Sequence, residues 1–201
     1  MSAPRAQRPG SGARRPPRRV GVLAIQGDVA AHGAALERVG AEWTRVRGEK
    51  DLDGLDALVL PGGESTTIAK GLARLGLYEP IEAFARAGHP ILGTCAGAVL
   101  LAREVENFPV RSLRLLDVVA VRNAYGTQVD SFSADAEGEL EGLECIFIRA
   151  PRLRRPGPEV EVLARVDGWP VCVRQGKVLA TTFHPELTRD PRLHALLLDL
   201  A

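Results

Sequence analysis

Three times in its first hundred residues this chain runs a short apolar stretch into glycine and then into helix-patterned sequence. Val20–Ile25 (VGVLAI) stops at Gln26-Gly27-Asp28, and Val29–Val39 follows with Leu36 and Val39 among alanines. Ala57–Leu60 (ALVL) ends in Pro61-Gly62-Gly63-Glu64-Ser65, ahead of helical patterns at Thr66–Leu75 and Pro80–Ala87. Pro90–Leu92 breaks at Gly93, and Ala98–Arg103 resumes as helix. Strands that are apolar at nearly every position are buried on both faces, which requires helices on each side of a parallel sheet. Glu42–Val46 reads as a weaker strand.

The second half changes style. Val118–Val121, Cys145–Ile148, Val160–Val166, Val171–Val173 and Val178–Thr182 are short runs separated by turn signals. Gln175-Gly176-Lys177 reads as a hairpin turn, so antiparallel strands join the sheet here. A last helix, Pro191–Leu200, carries Leu193, Leu196, Leu197 and Leu200 on one stripe. The expectation is an α/β fold with a mixed, mainly parallel central sheet flanked by helices.

At 201 residues with 45% hydrophobic content, the chain suits one domain with a substantial core. Its net charge of +1 conceals an asymmetry. Residues 1–19 hold Arg5, Arg8, Arg14, Arg15, Arg18 and Arg19 and no acid, leaving 20 basic against 25 acidic residues beyond them. The body is therefore mildly acidic, which argues against a nucleic-acid partner, and residues 1–19 read as a disordered Arg/Pro-rich tail ahead of a domain at 20–201. Four prolines in that tail spoil the amphipathic helix of a transit peptide, and it lacks the apolar stretch of a secretory signal. No apolar run approaches the length of a membrane helix. Cys95, Cys145 and Cys172 have neither disulfide-framework nor zinc spacing, which points to a reducing, cytoplasmic setting and to no bound metal.

Gly93-Thr94-Cys95-Ala96-Gly97 lies between a strand and a helix, the context of a nucleophile elbow with cysteine in place of serine. A thiol there meets the positive end of the helix dipole, and the Ala96 N–H is placed to face an oxyanion. A buried, inert cysteine in a glycine-rich turn would read the same way. His184 ends a strand in Phe183-His184-Pro185-Glu186, where Pro185 keeps the backbone extended and the carboxylate can fold back onto one ring nitrogen. A polar turn with a solvated Glu186 is the plainer alternative. His89 and His194 read as surface residues. Pro61-Gly62-Gly63-Glu64-Ser65 offers backbone N–H groups to an anion but has no P-loop lysine; taken alone it is ordinary turn punctuation. With the elbow and His184-Pro185-Glu186 together, a Cys–His–Glu triad becomes the stronger reading.

In this order the three motifs resemble the triad class of glutamine amidotransferases, and more closely the glutaminase subunits of pyridoxal 5′-phosphate synthase. The matching stretches are Gly21–Gly27 with His32, Leu60–Thr67 (LPGGESTT), Gly93–Gly97 (GTCAG), Arg122–Asn123 with Gly126 and Gln128–Phe132 (QVDSF), Phe147–Pro151 (FIRAP) and Phe183–Thr188 (FHPELT). The resemblance implies the three-layer class I glutamine amidotransferase-like fold. It also implies hydrolysis of L-glutamine through a γ-glutamyl thioester on Cys95, with His184 as the proton carrier and Glu186 orienting it. Gly63 and Ala96 would form the oxyanion hole. Gly63, Glu64, Ser65, Arg122, Ile148 and Arg149 would hold glutamine, with Glu64 facing its α-ammonium. No cofactor is implied. The partner would be a pyridoxal 5′-phosphate synthase subunit in a hetero-oligomeric complex, with Gln26, Gly27 and His32 as the docking surface.

Two residues depart from the family pattern: Thr127 stands where an arginine is usual, and Arg114 where a glycine is usual. Rival readings fit less of the chain. A different triad glutaminase does not account for QVDSF and FIRAP. A cysteine hydrolase or redox-sensing protein has no need of PGGES or HPE, and a non-catalytic scaffold has no need to keep all of Cys95, His184 and Glu186.

Overall fold

The computed structural model describes residues 16–122 and 131–201. In chain order, the first half comprises β1 (Arg19–Leu23), α1 (Val29–Arg38), β2 (Glu42–Val46), β3 (Ala57–Leu60), α2 (Ser65–Leu75), α3 (Tyr78–Arg86), β4 (Ile91–Thr94) and α4 (Ala96–Leu101). There follow β5 (Ala102–Glu106), β6 (Leu116–Val121), β7 (Ser131–Asp135), β8 (Glu137–Gly138) and β9 (Glu144–Ile148). The chain closes with β10 (Arg152–Arg154), β11 (Glu161–Val166), β12 (Trp169–Gln175), β13 (Val178–Thr181) and α5 (Arg192–Asp199).

Among the described residues, eight strands form the central sheet in the order β2-β1-β3-β4-β13-β12-β11-β8. The five from β2 to β13 pair in parallel, and β12, β11 and β8 extend them antiparallel. A smaller sheet, β10-β6-β5, and a ribbon, β7-β9, pack outside it. The apolar strands have the two-sided burial their sequence requires. Leu58 and Leu60 of β3 face a core shared with α2, α3 and α4, while Ala57 and Val59 face a second core shared with α1 and α5. Helices thus cover both faces, giving the three-layer α/β architecture.

Gly176 turns at a φ of 56° and joins β12 to β13, with Gln175 opposite Val178, so the hairpin lies where the sequence signals it. Other boundaries differ. Arg19 is not tail: it opens β1 opposite Glu42 and donates its N–H to Asp56 at 2.8 Å. Arg18 pairs with Asp56 at 3.4 Å and donates to the Ala201 carbonyl. Two charges with specific acceptors are ordered by them, so the body starts before Val20. The fourth helix begins at Ala96, directly after Cys95, and gives way at Ala102 to β5, which pairs with β6. The strands β5, β7 and β10 carry too many charged or small residues to be recognised as apolar runs.

The described histidines correct two further expectations. His194, read as a surface residue of the last helix, is fully buried. His32, read as part of a docking surface, is also wholly out of solvent, because α1 turns it inward on the same face as Ala35 and Leu36. His89 is half-buried and stacks on Phe84.

Candidate active site

Three adjacent parallel strands, β3, β4 and β13, deliver the three motifs at their carboxyl ends, where open α/β sheets form their binding crevices. Beyond β4, Cys95 sits at φ 49° and ψ −103°, a conformation that costs a residue with a Cβ about 1–3 kcal/mol. Its surroundings impose that geometry. The Cys95 N–H remains in the ladder, donating to the Thr181 carbonyl at 2.8 Å. Two residues on, Gly97 lets α4 approach β3 so closely that a Cβ there would stand 2.0 Å from the Leu60 carbonyl oxygen. The elbow is therefore held between two strands and its own helix.

Beyond β13, the chain is anchored by Phe183, which is fully buried and packs edge-on against Phe147. The His184 N–H donates to the Ile146 carbonyl at 2.9 Å. Pro185 then starts a short 3₁₀ turn over Pro185–Leu187 that folds Glu186 back. His184 Nδ1 and Glu186 Oε1 are 2.7 Å apart, so Nδ1–H donates and Nε2 is left for the thiol. Burial works against a charge on His184, but hydrogen bonding with Cys95 and with Glu186 prevails and pushes its pKa up to about 10. Burial likewise opposes ionisation of Glu186, and above all the His184 hydrogen bond reverses it, holding the carboxyl below its usual range.

A cavity of about 510 Å³ opens in front of this pair, ample for a small polar molecule. Cys95, Ala96 and His184 line it, and so does Gly63, whose φ of 151° is open to glycine. Ser65, Arg122, Ile148 and Arg149 complete the expected set around it. Glu64 also lines it, but its carboxylate is engaged. It caps α2 by accepting from Thr66 N at 2.9 Å and Thr67 N at 2.7 Å, and it pairs with Arg122 at 3.1 Å. Desolvation resists, yet these N–H donors with the Thr67 hydroxyl hold Glu64 down at about 2. An open carboxylate facing an α-ammonium is thus not what the structure contains. Arg122 spends a second nitrogen on the Phe108 carbonyl, at 2.6 Å.

Gln26 and Gly27 are exposed, as a docking surface requires, whereas His32 is not. Gln26 also belongs to the cavity wall, accepting the Glu64 N–H on Oε1 at 3.1 Å. Val99 and Pro151 line the cavity too and escaped the sequence reading. Val99 lies one helical turn after Cys95 and was legible in principle; Pro151 reaches the cavity only through the tertiary path of β9. Asn123, Gly126 and the Thr127 departure lie outside the described residues. Arg114 has a left-handed φ of 56°, the region that favours glycine.

A thiol beside an imidazole that is fixed by a carboxylate, with backbone N–H groups at the same cavity, is equipped for attack on an acyl carbon. The other two thiols are not. Cys145 and Cys172 are buried, and burial pushes Cys145 up to about 12 and Cys172 higher. Among the described residues no cluster of His, Cys, Asp or Glu could hold a metal ion, and no helix is long and apolar enough to cross a membrane.

Known proteins resemble this chain in sequence and fold. A model of the SNO glutamine amidotransferase family matches residues 22–200. The pyridoxal 5′-phosphate synthase subunit PdxT of Thermus thermophilus is 54% identical over 185 residues, covering 90% of this chain and 97% of its own length. A crystal structure of a glutamine amidotransferase superposes with a TM-score of 0.86 at 50% identity, over 90% of this chain and 97% of that one. More distantly, a GMP synthase subunit protein from Thermoplasma acidophilum shares the fold at 19% identity and a TM-score of 0.63, over 93% of each chain.

Proposed function

The chain belongs to the SNO glutamine amidotransferase family, and from that membership we propose that it hydrolyses L-glutamine to L-glutamate and ammonia as the glutaminase subunit of a pyridoxal 5′-phosphate synthase, in vitamin B6 formation. The observation that carries this reading is the meeting of Cys95, His184, Gly63 and Ala96 at one cavity, with Glu186 bonded to the far side of His184.

Cys95 Sγ gives its proton to His184 and attacks the side-chain amide carbon of glutamine, and the resulting oxyanion lies against the N–H groups of Gly63 and Ala96. His184 holds that proton, consistent with its raised pKa, and passes it to the leaving nitrogen as ammonia departs. Now neutral, it accepts a proton from the water that hydrolyses the γ-glutamyl thioester, which frees glutamate and restores the pair. Glu186 fixes the ring and stabilises its charged form. Arg122 and Arg149 suit the α-carboxylate of glutamine, with Ser65 and Ile148 shaping its seat. Glu64 acts through Arg122, whose guanidinium it holds.

Ammonia released into neutral water becomes mostly ammonium and loses its nucleophilicity, so the reaction gains from a docked acceptor. The word "subunit" in the name of the Thermus relative supports such a partner. We assign the docking surface to the exposed Gln26 and Gly27, beside the Gly63 loop, in a cytoplasmic hetero-oligomer with the synthase. The glutaminase domain, expected over residues 20–201, extends back to Arg18 and Arg19, which Asp56 anchors to it.

Glutamate release by the purified chain, with and without a synthase subunit, tests both parts of this reading. Activity that rises with the synthase and vanishes in Cys95→Ala supports both. Comparable turnover in Cys95→Ala and wild type would sink the mechanism.

A further inference from the structure

Behind the triad, the polar chain continues into the interior. Glu186 offers Oε1 to His184, but its other oxygen, Oε2, is buried without a hydrogen bond among the described residues. His32 Nε2 stands 3.4 Å from that oxygen and 3.2 Å from Thr94 Oγ1. On its opposite side, His32 Nδ1 lies 3.1 Å from His194 Nε2. His32, His194 and Thr94 are all fully buried, and they come from α1, α5 and the end of β4. Three elements therefore converge on the carboxylate from the side away from substrate.

We propose that His32 is a positioning residue of the triad, its Nε2–H pinning the second oxygen of Glu186 while His194 fixes its tautomer. This rests on the reading of Cys95, His184 and Glu186 as that triad. A neutral imidazole has one donor and one acceptor, so only two arrangements are available. If His194 Nε2–H donates to His32 Nδ1, then His32 carries its proton on Nε2 and presents it to Glu186 and Thr94. In the reverse arrangement a nitrogen lone pair faces a buried carboxylate oxygen that has no other hydrogen bond, which is costly in the interior. Burial lowers the pKa of His32 against the pull of Glu186, and lowers that of His194 to about 3, consistent with both rings being neutral.

The pinning has a mechanical purpose. Glu186 hangs from a single 3₁₀ turn, and its carboxylate could rotate about its own stem. With His184 on Oε1 and His32 Nε2 standing 3.4 Å from Oε2, rotation of its plane is resisted, and Oε1 stays aimed at His184 Nδ1 as His184 gives up and regains its proton. The helix α1 is the right support, because Arg38 at its other end also holds the Thr188 carbonyl, at 3.1 Å, just past the same turn.

The test is steady-state glutamine hydrolysis by the full chain with its synthase subunit. Folded His32→Leu should lose about tenfold or more in kcat, the effect of losing a hydrogen bond to a charged group, with KM changed less than twofold. His32→Gln, which returns an N–H near the Nε2 position, should recover most of that loss. On a Glu186→Ala background, His32→Leu should cost nothing further. A kcat within twofold of wild type in folded His32→Leu, or a full additional loss on Glu186→Ala, overturns the proposal. Should His32→Leu not fold, ¹⁵N chemical shifts of the wild-type imidazoles decide: a proton on His32 Nε2 supports the assignment, and one on Nδ1 overturns it. Activity surviving in Cys95→Ala would instead remove the triad reading itself.

Discussion

Gly62 lies against His184 so closely that a Cβ at position 62 would stand 2.4 Å from His184 Cε1 and 3.3 Å from the Cys95 Cβ. The loop after β3 is therefore a roof over the reacting pair as well as a supplier of backbone donors. Gly62→Ala should push His184 off its line to Glu186 and lower kcat by about a hundredfold, since small misplacements of a catalytic group are that expensive. Steady-state kinetics beside a melting curve checks this; a folded, fully active Gly62→Ala would show that His184 can move without consequence.

At position 95 chemistry and conformation separate. Cys95→Ala and Cys95→Gly should both be inactive, His184→Ala should retain a trace, and Glu186→Ala should lose less, since only orientation goes. The two Cys95 variants should nonetheless differ in stability. Alanine keeps the burden of a positive φ and glycine relieves it, so Cys95→Gly should unfold at higher urea, by about 1 kcal/mol. Equal midpoints would mean that the elbow is unstrained.

Stability should also follow pH through the triad. His184 has a folded pKa of about 10 against 6.5 for the free side chain. Its contribution is therefore complete below pH 6.5 and is lost as pH rises through about 10. Glu186 is lowered in the folded chain from 4.5; its contribution is present above pH 4.5 and is lost as pH falls through its depressed folded value. Urea midpoints at pH 6, 8 and 10 should fall in that order. In Cys95→Ala the alkaline loss should be smaller, because one of the hydrogen bonds that raise His184 is gone. A flat profile in wild type would contradict the assigned pairing.

Glu64→Ala should have two effects of one cause. Losing the cap of α2 should cost about 1 kcal/mol in urea unfolding. Losing the partner of Arg122 should raise KM for glutamine several-fold while kcat changes less. Unchanged KM would free Arg122 from any dependence on Glu64.

Arg114 lies away from the active-site cavity and adopts the left-handed backbone at φ 56°. Arg114→Gly should therefore leave turnover unchanged and stabilise the chain by up to about 1 kcal/mol, the conformational relief exceeding the added freedom of the unfolded glycine. A loss of stability would show that the Arg114 side chain contributes more than its backbone costs.

The parallel half of the fold was legible because buried strands such as Ala57–Leu60 announce themselves by composition, and because glycine marks their ends. Cys95, His184 and Glu186 were legible because each sits at a backbone position that its neighbours in sequence impose. His32 and His194 were not. A histidine inside an amphipathic helix carries no sign of which way it faces, and the stripe read on the last helix ran through Leu196 and Leu200, whereas the buried edge includes His194 beside Leu193 and Leu197. The true engagement of Glu64 was equally hidden, since the capping role is local but the pairing with Arg122 spans 58 positions. Arg19 was read as tail from its neighbours' composition, and its pairing opposite Glu42, with Asp56 accepting its N–H, makes it the first residue of a strand.

The parallel pairing of β4 with β13 sets Thr94 directly opposite Thr181, and the Cys95 N–H continues that ladder. Nucleophile and base thus leave neighbouring strands at nearly the same height, and the sheet's own repeat of about 4.8 Å serves as their gauge. What the cavity accepts is written elsewhere, in Glu64, Arg122 and the Ile148–Arg149 turn. Retailoring those positions should alter which side-chain amide is admitted while leaving the reach of sulfur to imidazole in the keeping of the backbone.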